Sequence, residues 1–282
     1  MTEREWLRLL AWYRPLQQRY GLTPEAVGWS SGNQAKRFAL LTAGWDLVGG
    51  QTVLDVGCGL AHLYDWLVEH KGFRGGYLGV DALPEYVDAA NRRIGGGCQV
   101  ADAEVDALPA CDYVVASGVF NVDLGNPTRN REHLVQVATR MAAVARRGMA
   151  FDCLLDTHPH RVEGQAYYPM AWVQQVAGLD GFHPVLKQSD ELPGDLVVQL
   201  TRQEVVHMPD TSKDRGIVGE SFKGEWMGDA AKRVHEEIMK EMPSMPKGMK
   251  RVPMPPYEPP WTSVGQAPSG KQVEREADGG SA

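Results

Sequence analysis

Cysteine is scarce: Cys58, Cys98, Cys111 and Cys153 are the only four in 282 residues, with no CxxC pair and no metal-ligand spacing. That scatter, each thiol in or beside an apolar stretch, excludes a disulfide framework and reads as free thiols in a reducing compartment. Long apolar runs are lacking as well. No stretch approaches the roughly 18 residues a membrane span requires, and the N-terminus is charged from the start by Glu3, Arg4, Glu5 and Arg8. A soluble, cytoplasmic protein without contact to a membrane is the expectation. Positive charge is short, with 29 Lys and Arg against 36 Asp and Glu and a net charge of −7. Nucleic acid held by a general positive field is thereby disfavoured, because phosphate neutralisation takes clustered Lys and Arg.

What is present is apolar content enough for a sizeable core, 43% of residues, distributed with two distinct periods. Trp6, Leu9, Leu10 and Tyr13 recur at helical spacing until Pro15, which predicts a short amphipathic helix ending there. A second helix is expected over 34–48. From Thr52 the pattern changes to short β-branched runs at 52–56, 77–80, 113–116 and 149–155. They alternate with helical stretches near 60–70, 84–93 and 131–146, the signature of parallel βαβ units with right-handed crossovers. After a helix near 170–177, two more strand-like runs, 182–187 and 196–201, are separated by a connection too short for anything but antiparallel neighbours. The fold class expected is therefore α/β, a mostly parallel sheet with a C-terminal antiparallel hairpin, preceded by N-terminal helices.

Beyond Arg202 nine of the eighteen prolines are found, and the last stretch is Gly, Ser, Glu and Lys without periodicity. Such a segment cannot bury enough apolar surface to offset its ordering entropy. Three parts follow: a helical lead-in over 1–50, a ligand-binding domain over 51–202, and a largely disordered tail over 203–282 with one helix expected at 225–242.

The most informative segment is Val53-Leu-Asp-Val-Gly-Cys-Gly-Leu-Ala-His-Leu63, an apolar strand running into a glycine turn and then a helix. Gly57 and Gly59 let main chain approach a ligand closely, and a helix start offers unpaired N–H groups. A dinucleotide fingerprint would place glycine at position 62, where His62 stands, and Asp55 precedes the first glycine by two. An acid there is awkward for a pyrophosphate and comfortable for a ligand carrying an amino group. A second acid, Asp81, closes Tyr77-Leu-Gly-Val-Asp81 about 20 residues beyond the glycines, where it can accept hydrogen bonds from ribose hydroxyls. Read alone, Asp81 serves equally well as a helix N-cap ahead of Pro84.

These residues resemble the class I S-adenosylmethionine-dependent methyltransferases, whose first motif is matched by Asp55, Gly57, Cys58 and Gly59 and whose second is the acid Asp81, with Ala82 beside it. A third family feature, an acid near the adenine amine, fits Asp102 and its neighbour Ala103. A fourth is the strand Cys111–Phe120 leading into the substrate cleft through Ser117. The resemblance spans about 20–202, and Ala61 departs from it where a third glycine usually stands. The segment Ala26–Phe38 is also similar to the lead-in of small bacterial and phage-type members. By that resemblance Gln34 or Arg37 reaches the methionine carboxylate and Trp29 covers the cofactor; as bare residues, Arg37 is a solvated helix position and Trp29 a packing one. S-adenosyl-L-methionine is the implied cofactor and a small molecule the expected methyl acceptor.

Methyl transfer from a sulfonium is an in-line displacement that needs positioning more than a set of catalytic groups, so no catalytic residue is assigned. If the acceptor is protonated, Asp123, Asp156, His158 and His160 are candidate bases near strand ends. His158 and His160 flank Pro159 and read as a solvated loop, not a metal site. Tyr167 and Tyr168 either wall an acceptor or begin the next helix. The motif of nucleic-acid amino-methyltransferases, Asp or Asn followed by Pro-Pro-aromatic, is missing after strand four, where Ser117-Gly-Val-Phe-Asn121 stands; Met254-Pro-Pro-Tyr257 and Glu258-Pro-Pro-Trp261 have the wrong first residue and lie in the tail. Two other readings stay open: a noncatalytic Rossmann-like scaffold recruiting a protein partner through its tail, and a nicotinamide-dependent oxidoreductase.

Overall fold

The computed structural model describes residues 1–29 and 32–203. Seven strands, β1 (Val53–Val56), β2 (Tyr77–Asp81), β3 (Cys98–Val100), β4 (Cys111–Ala116), β5 (Ala145–Leu154), β6 (Phe182–Ser189) and β7 (Leu192–Arg202), form one sheet in the order β3-β2-β1-β4-β5-β7-β6. All pairings are parallel except those of β7, which runs antiparallel to both β5 and β6. The sheet grows outward from β1 in one direction and from β4 in the other, so the crevice for a ligand opens at the C-terminal ends of β1 and β4.

The helices are α1 (Glu3–Tyr20), α2 (Asn33–Leu41), α3 (His62–Lys71), α4 (Pro84–Ile94), α5 (Pro127–Val144) and α6 (Met170–Val176). Alternation along β4 shows how they cover both faces: Val114 and Ala116 join a core with Leu134, Val137 and Met141 of α5. Tyr113 and Val115 join Phe38 and Leu41 of α2 and Leu63 and Leu67 of α3. Each fully buried Val, Leu or Met among them contributes roughly 1.5–3 kcal/mol. All four cysteines are buried and unbridged. Among the described residues no helix is long and apolar enough to cross a membrane.

Several elements differ from the sequence expectation, each for a local reason. Pro15 lies inside α1, which continues to Tyr20. A proline costs a helix interior about 3 kcal/mol, and tertiary contacts offset it: Trp12 and Leu16 pack over Gly28, and Arg14 pairs with Glu85 at 3.1 Å. The second helix stops at Leu41 instead of Val48, capped at Thr42, and the chain then turns through Gly44 so that Trp45 stacks on Tyr113 at 4.5 Å. α5 begins four residues before the expected position because Asn126 caps it, accepting from Arg129 N–H at 2.9 Å. The β6–β7 turn is tighter than the ELPGD segment suggested, with β7 starting at Leu192. Tyr167 and Tyr168 do not begin α6; Tyr168 is buried, donating its hydroxyl to Phe120 C=O at 2.9 Å, and Pro169 caps the helix. The tail and its expected 225–242 helix lie outside the described residues.

Candidate functional site

The glycine turn is tied to β2 through its own amides. Gly57 and Cys58 N–H both donate to Val80 C=O at 2.7 and 3.0 Å, and Gly59 N–H donates to Asp81 Oδ2 at 2.8 Å. These three amides are therefore spent within the protein and are not available to cradle a phosphate. Gly57 has φ 70°, and a Cβ there would lie 2.4 Å from Val119 Cγ2, so the position requires glycine both for its torsion and for its close neighbour. Ala61 replaces the usual third glycine at a cost: at φ 56° it is the one non-glycine in the left-handed region among the described residues.

The turn borders a cleft with about 1070 Å³ of empty space, the solvent at its open mouth included. Asp55, Gly57, Cys58, Gly59, Asp81, Ala82, Asp102, Ala103, Ser117 and Gln34 all line it, together with Trp29. The lead-in segment supplies the opposite wall through Leu9, Tyr13, Val27 and Phe38. Three carboxylates face this space; its lining contains no Lys or Arg side chain but includes the Met1 ammonium, which is paired with Asp102.

The three acids are held differently. Asp55 is buried on β1 and accepts from Tyr77 Oη at 2.6 Å; burial pushes its carboxyl up to about 7 against the opposing pull of that hydrogen bond. Asp81 accepts from Leu83 N–H at 2.9 Å as well as from Gly59, and burial again raises its pKa although both bonds lower it. It is not the N-cap of α4, a place taken by Leu83. Asp102 accepts from Glu104 N–H at 2.9 Å and from the Met1 ammonium at 2.6 Å.

Arg37 lies outside the cleft lining. Its guanidinium is ion-paired with buried Asp195 of β7 and lies 3.8 Å from the Trp29 ring centre. The candidate bases are also away from the cleft: Asp156 and His160 are exposed, and Asp123 holds Asn130 Nδ2 at 2.8 Å. His158 accepts at Nδ1 from His160 N–H at 3.0 Å, and burial lowers its pKa. The two rings are 6.4 Å apart, and no group of three His, Cys, Asp or Glu suited to a metal occurs among the described residues.

Sequence reasoning missed two polar clusters. Asp152, buried in β5, accepts from Ser117 Oγ at 2.9 Å and Gly118 N–H at 2.8 Å, fixing the end of β4 at the cleft. A charge inside the apolar run Phe151-Asp-Cys-Leu-Leu was the available signal. The second is Arg129 between Glu5 (2.5 Å) and Glu104 (2.6 Å), with His133 Nδ1 at 2.6 Å from Glu104. It ties α1 to α5 beside Asp102. On α1 and α5, Glu5, Arg129 and His133 have the spacing of ordinary solvated charges, and Glu104 lies in the loop after β3, which gave no signal.

No family model matches the sequence. A Mycobacterium tuberculosis protein named "Putative methyltransferase Rv1506c" is 37% identical over 107 residues, 36% of this chain; the chain spans 63% of that relative's length. Among solved structures, mitomycin 7-O-methyltransferase superposes with a TM-score of 0.51 at 15% identity, over 71% of this chain and 60% of that one. Magnesium protoporphyrin IX methyltransferase from Synechocystis PCC 6803, solved with bound S-adenosylmethionine, gives a TM-score of 0.49 at 15% identity, over 72% of this chain and 98% of that one.

Proposed function

We propose that this chain, which has the class I methyltransferase fold, binds S-adenosylmethionine in its acidic cleft and catalyses methyl transfer to a small-molecule acceptor. The observation that carries the reading is the pairing of Asp55 and Asp81, cleft carboxyls without a cationic partner among the described residues, with a glycine turn whose amides are already spent. A pyrophosphate would meet the Asp55 and Asp81 carboxyls and find the amides of Gly57, Cys58 and Gly59 already engaged, whereas a ligand with an ammonium and a sulfonium meets complementary charge. The same observation weighs against a nicotinamide dinucleotide.

In this reading Asp55 takes the side of the ammonium. Asp81 spends one lone pair of each carboxylate oxygen on Leu83 and Gly59 N–H and keeps the others for ribose hydroxyls. Asp102 and Ala103 border the adenine, Gln34 and Ser117 the methionine end, and Trp29 the wall above it. When bound, the cofactor supplies an electrophilic methyl on a sulfonium; the protein orients the acceptor, excludes water and holds the charge. Arg37, engaged by Asp195, supports this site from behind Trp29.

Titration calorimetry with S-adenosylmethionine and with NAD tests the proposal. Binding of the former and not the latter is expected; no heat with S-adenosylmethionine rejects it. Binding without turnover over a broad acceptor panel would instead favour the scaffold reading, and mass spectrometry of a cell extract incubated with labelled cofactor identifies the acceptor.

A further inference from the structure

Behind Trp29 is a buried ionic group that the cleft itself does not use. Arg37 of α2 and Asp195 of β7 are ion-paired with side chains only 7% and 5% exposed. Arg37 Nε and Nη1 find no hydrogen-bond partner among the described residues. A buried ion pair so incompletely satisfied contributes little to stability, and apolar residues of similar volume would serve folding as well or better. The guanidinium does have a second contact, the Trp29 indole, whose ring centre lies 3.8 Å from Cζ. The edge of that indole rests on bare backbone: a Cβ on Gly118 would lie 2.5 Å from Trp29 Cζ2. Gly118 and Trp29 are both cleft residues, whereas Arg37 and Asp195 are not.

From this stack we infer that Asp195 is a positioning residue for the cleft: it fixes the Arg37 guanidinium, which holds the Trp29 indole against Gly118 as the wall at the methionine end. The inference rests on the proposed cofactor site. A planar guanidinium can stack on the indole and pair with the carboxylate at once, which a lysine cannot reproduce. Stacking with a desolvated guanidinium also restrains the indole more strongly than apolar packing alone. Strand β7 of the antiparallel hairpin is thereby linked to a wall that approaches from the N-terminal segment.

A double-mutant cycle between Asp195 and Trp29 tests it, with S-adenosylmethionine as the titrant and thermal denaturation in parallel. Asp195→Asn is expected to raise Kd roughly fivefold and Trp29→Leu at least as much, while the double variant matches Trp29→Leu alone, because Asp195 acts only through the indole. Arg37→Lys, run in the same cycle, should repeat the Asp195→Asn loss and covers the case in which that variant folds poorly. Losses that multiply, or an Asp195→Asn or Arg37→Lys variant that lowers Tm with Kd unchanged, overturn the inference and leave a structural ion pair. A wild-type protein that does not bind the cofactor overturns the site reading and the inference together.

Discussion

Tyr77, the first residue of β2, donates its phenolic proton to Asp55 Oδ2 on the neighbouring strand β1 across 2.6 Å. The two residues hold each other in unusual states. Burial raises the Asp55 carboxyl to about 7, and burial with the Asp55 charge pushes the Tyr77 phenol well above its ordinary range.

The pair predicts opposite pH responses for the free and the bound protein. A carboxyl with a folded pKa of about 7 and an unfolded value of 3.8 binds its proton more tightly when folded, so its contribution to stability is full below 3.8 and is lost as pH rises through 7. A cationic ligand selects the carboxylate instead, so affinity for S-adenosylmethionine should rise with pH through that same midpoint. Tyr77→Phe removes the bond that favours the carboxylate and should move the midpoint upward. Calorimetry between about pH 5.5 and 8.5 checks both; an affinity that does not change with pH would separate Asp55 from the ligand's charge.

Asp81→Ala should weaken cofactor binding by roughly ten- to a hundredfold through loss of charge-assisted ribose bonds. The hydrogen bonds from Gly59 and Leu83 add a second expectation. Stranding those two amides should also destabilise the free protein by about 1–3 kcal/mol. Asp81→Asn, which keeps an acceptor, separates the effects: it should recover much of the stability and little of the affinity. A folded Asp81→Ala protein with wild-type Kd rejects the ribose role.

Arg129→Ala leaves Glu5 and Glu104 buried beside each other without their shared cation. Removing one partner of such a group costs about 3–5 kcal/mol, which for a domain of this size lowers Tm by roughly 6–20 °C. The loss should shrink in acid. Burial alone would raise Glu104, but His133 and Arg129 outweigh it and hold the carboxyl well below the usual range. Its stabilisation is therefore present above the unfolded value of 4.5 and fades as pH falls toward the folded one. Equal Tm for wild type and variant at neutral pH would show that the network carries no stability.

What could be read from the sequence follows the range of the interactions involved. The glycine turn, the strand and helix alternation and the antiparallel hairpin depend on neighbours close in the chain, and each was legible. β3, only Cys-Gln-Val beside three consecutive glycines, has no period of its own and exists because Gly79 and Asp81 of β2 pair with it. The continuation of α1 past Pro15 depends on Glu85 and Gly28, distant in sequence. Most expected cofactor residues reach one cleft, since they sit at strand ends that the topology gathers. Arg37 does not, because its partner Asp195 is 158 positions away in a segment that read as a turn.

The final prediction concerns the tail: a fragment ending at Gln203 should keep both its fold and its affinity for S-adenosylmethionine, within the division into 1–50, 51–202 and 203–282 proposed from composition. The boundary needs the last two of its residues. Arg202 donates to Ala145 and Ala142 C=O at 2.9 and 2.8 Å, closing the end of α5, and Gln203 N–H donates to Gly181 C=O at 2.9 Å. Cutting before them strands those carbonyls and frays β7, the strand that carries Asp195. Beyond them the sequence is rich in proline and poor in aliphatic residues, a composition that adds little to a core. The competing outcome is a tail that closes the cleft, with Phe222 or Trp226 as its anchor, since lids commonly complete such sites. Kd and Tm of the 1–203 fragment against the full chain decide: equal values make the tail a separate segment, and a large rise in Kd at unchanged Tm makes it the lid.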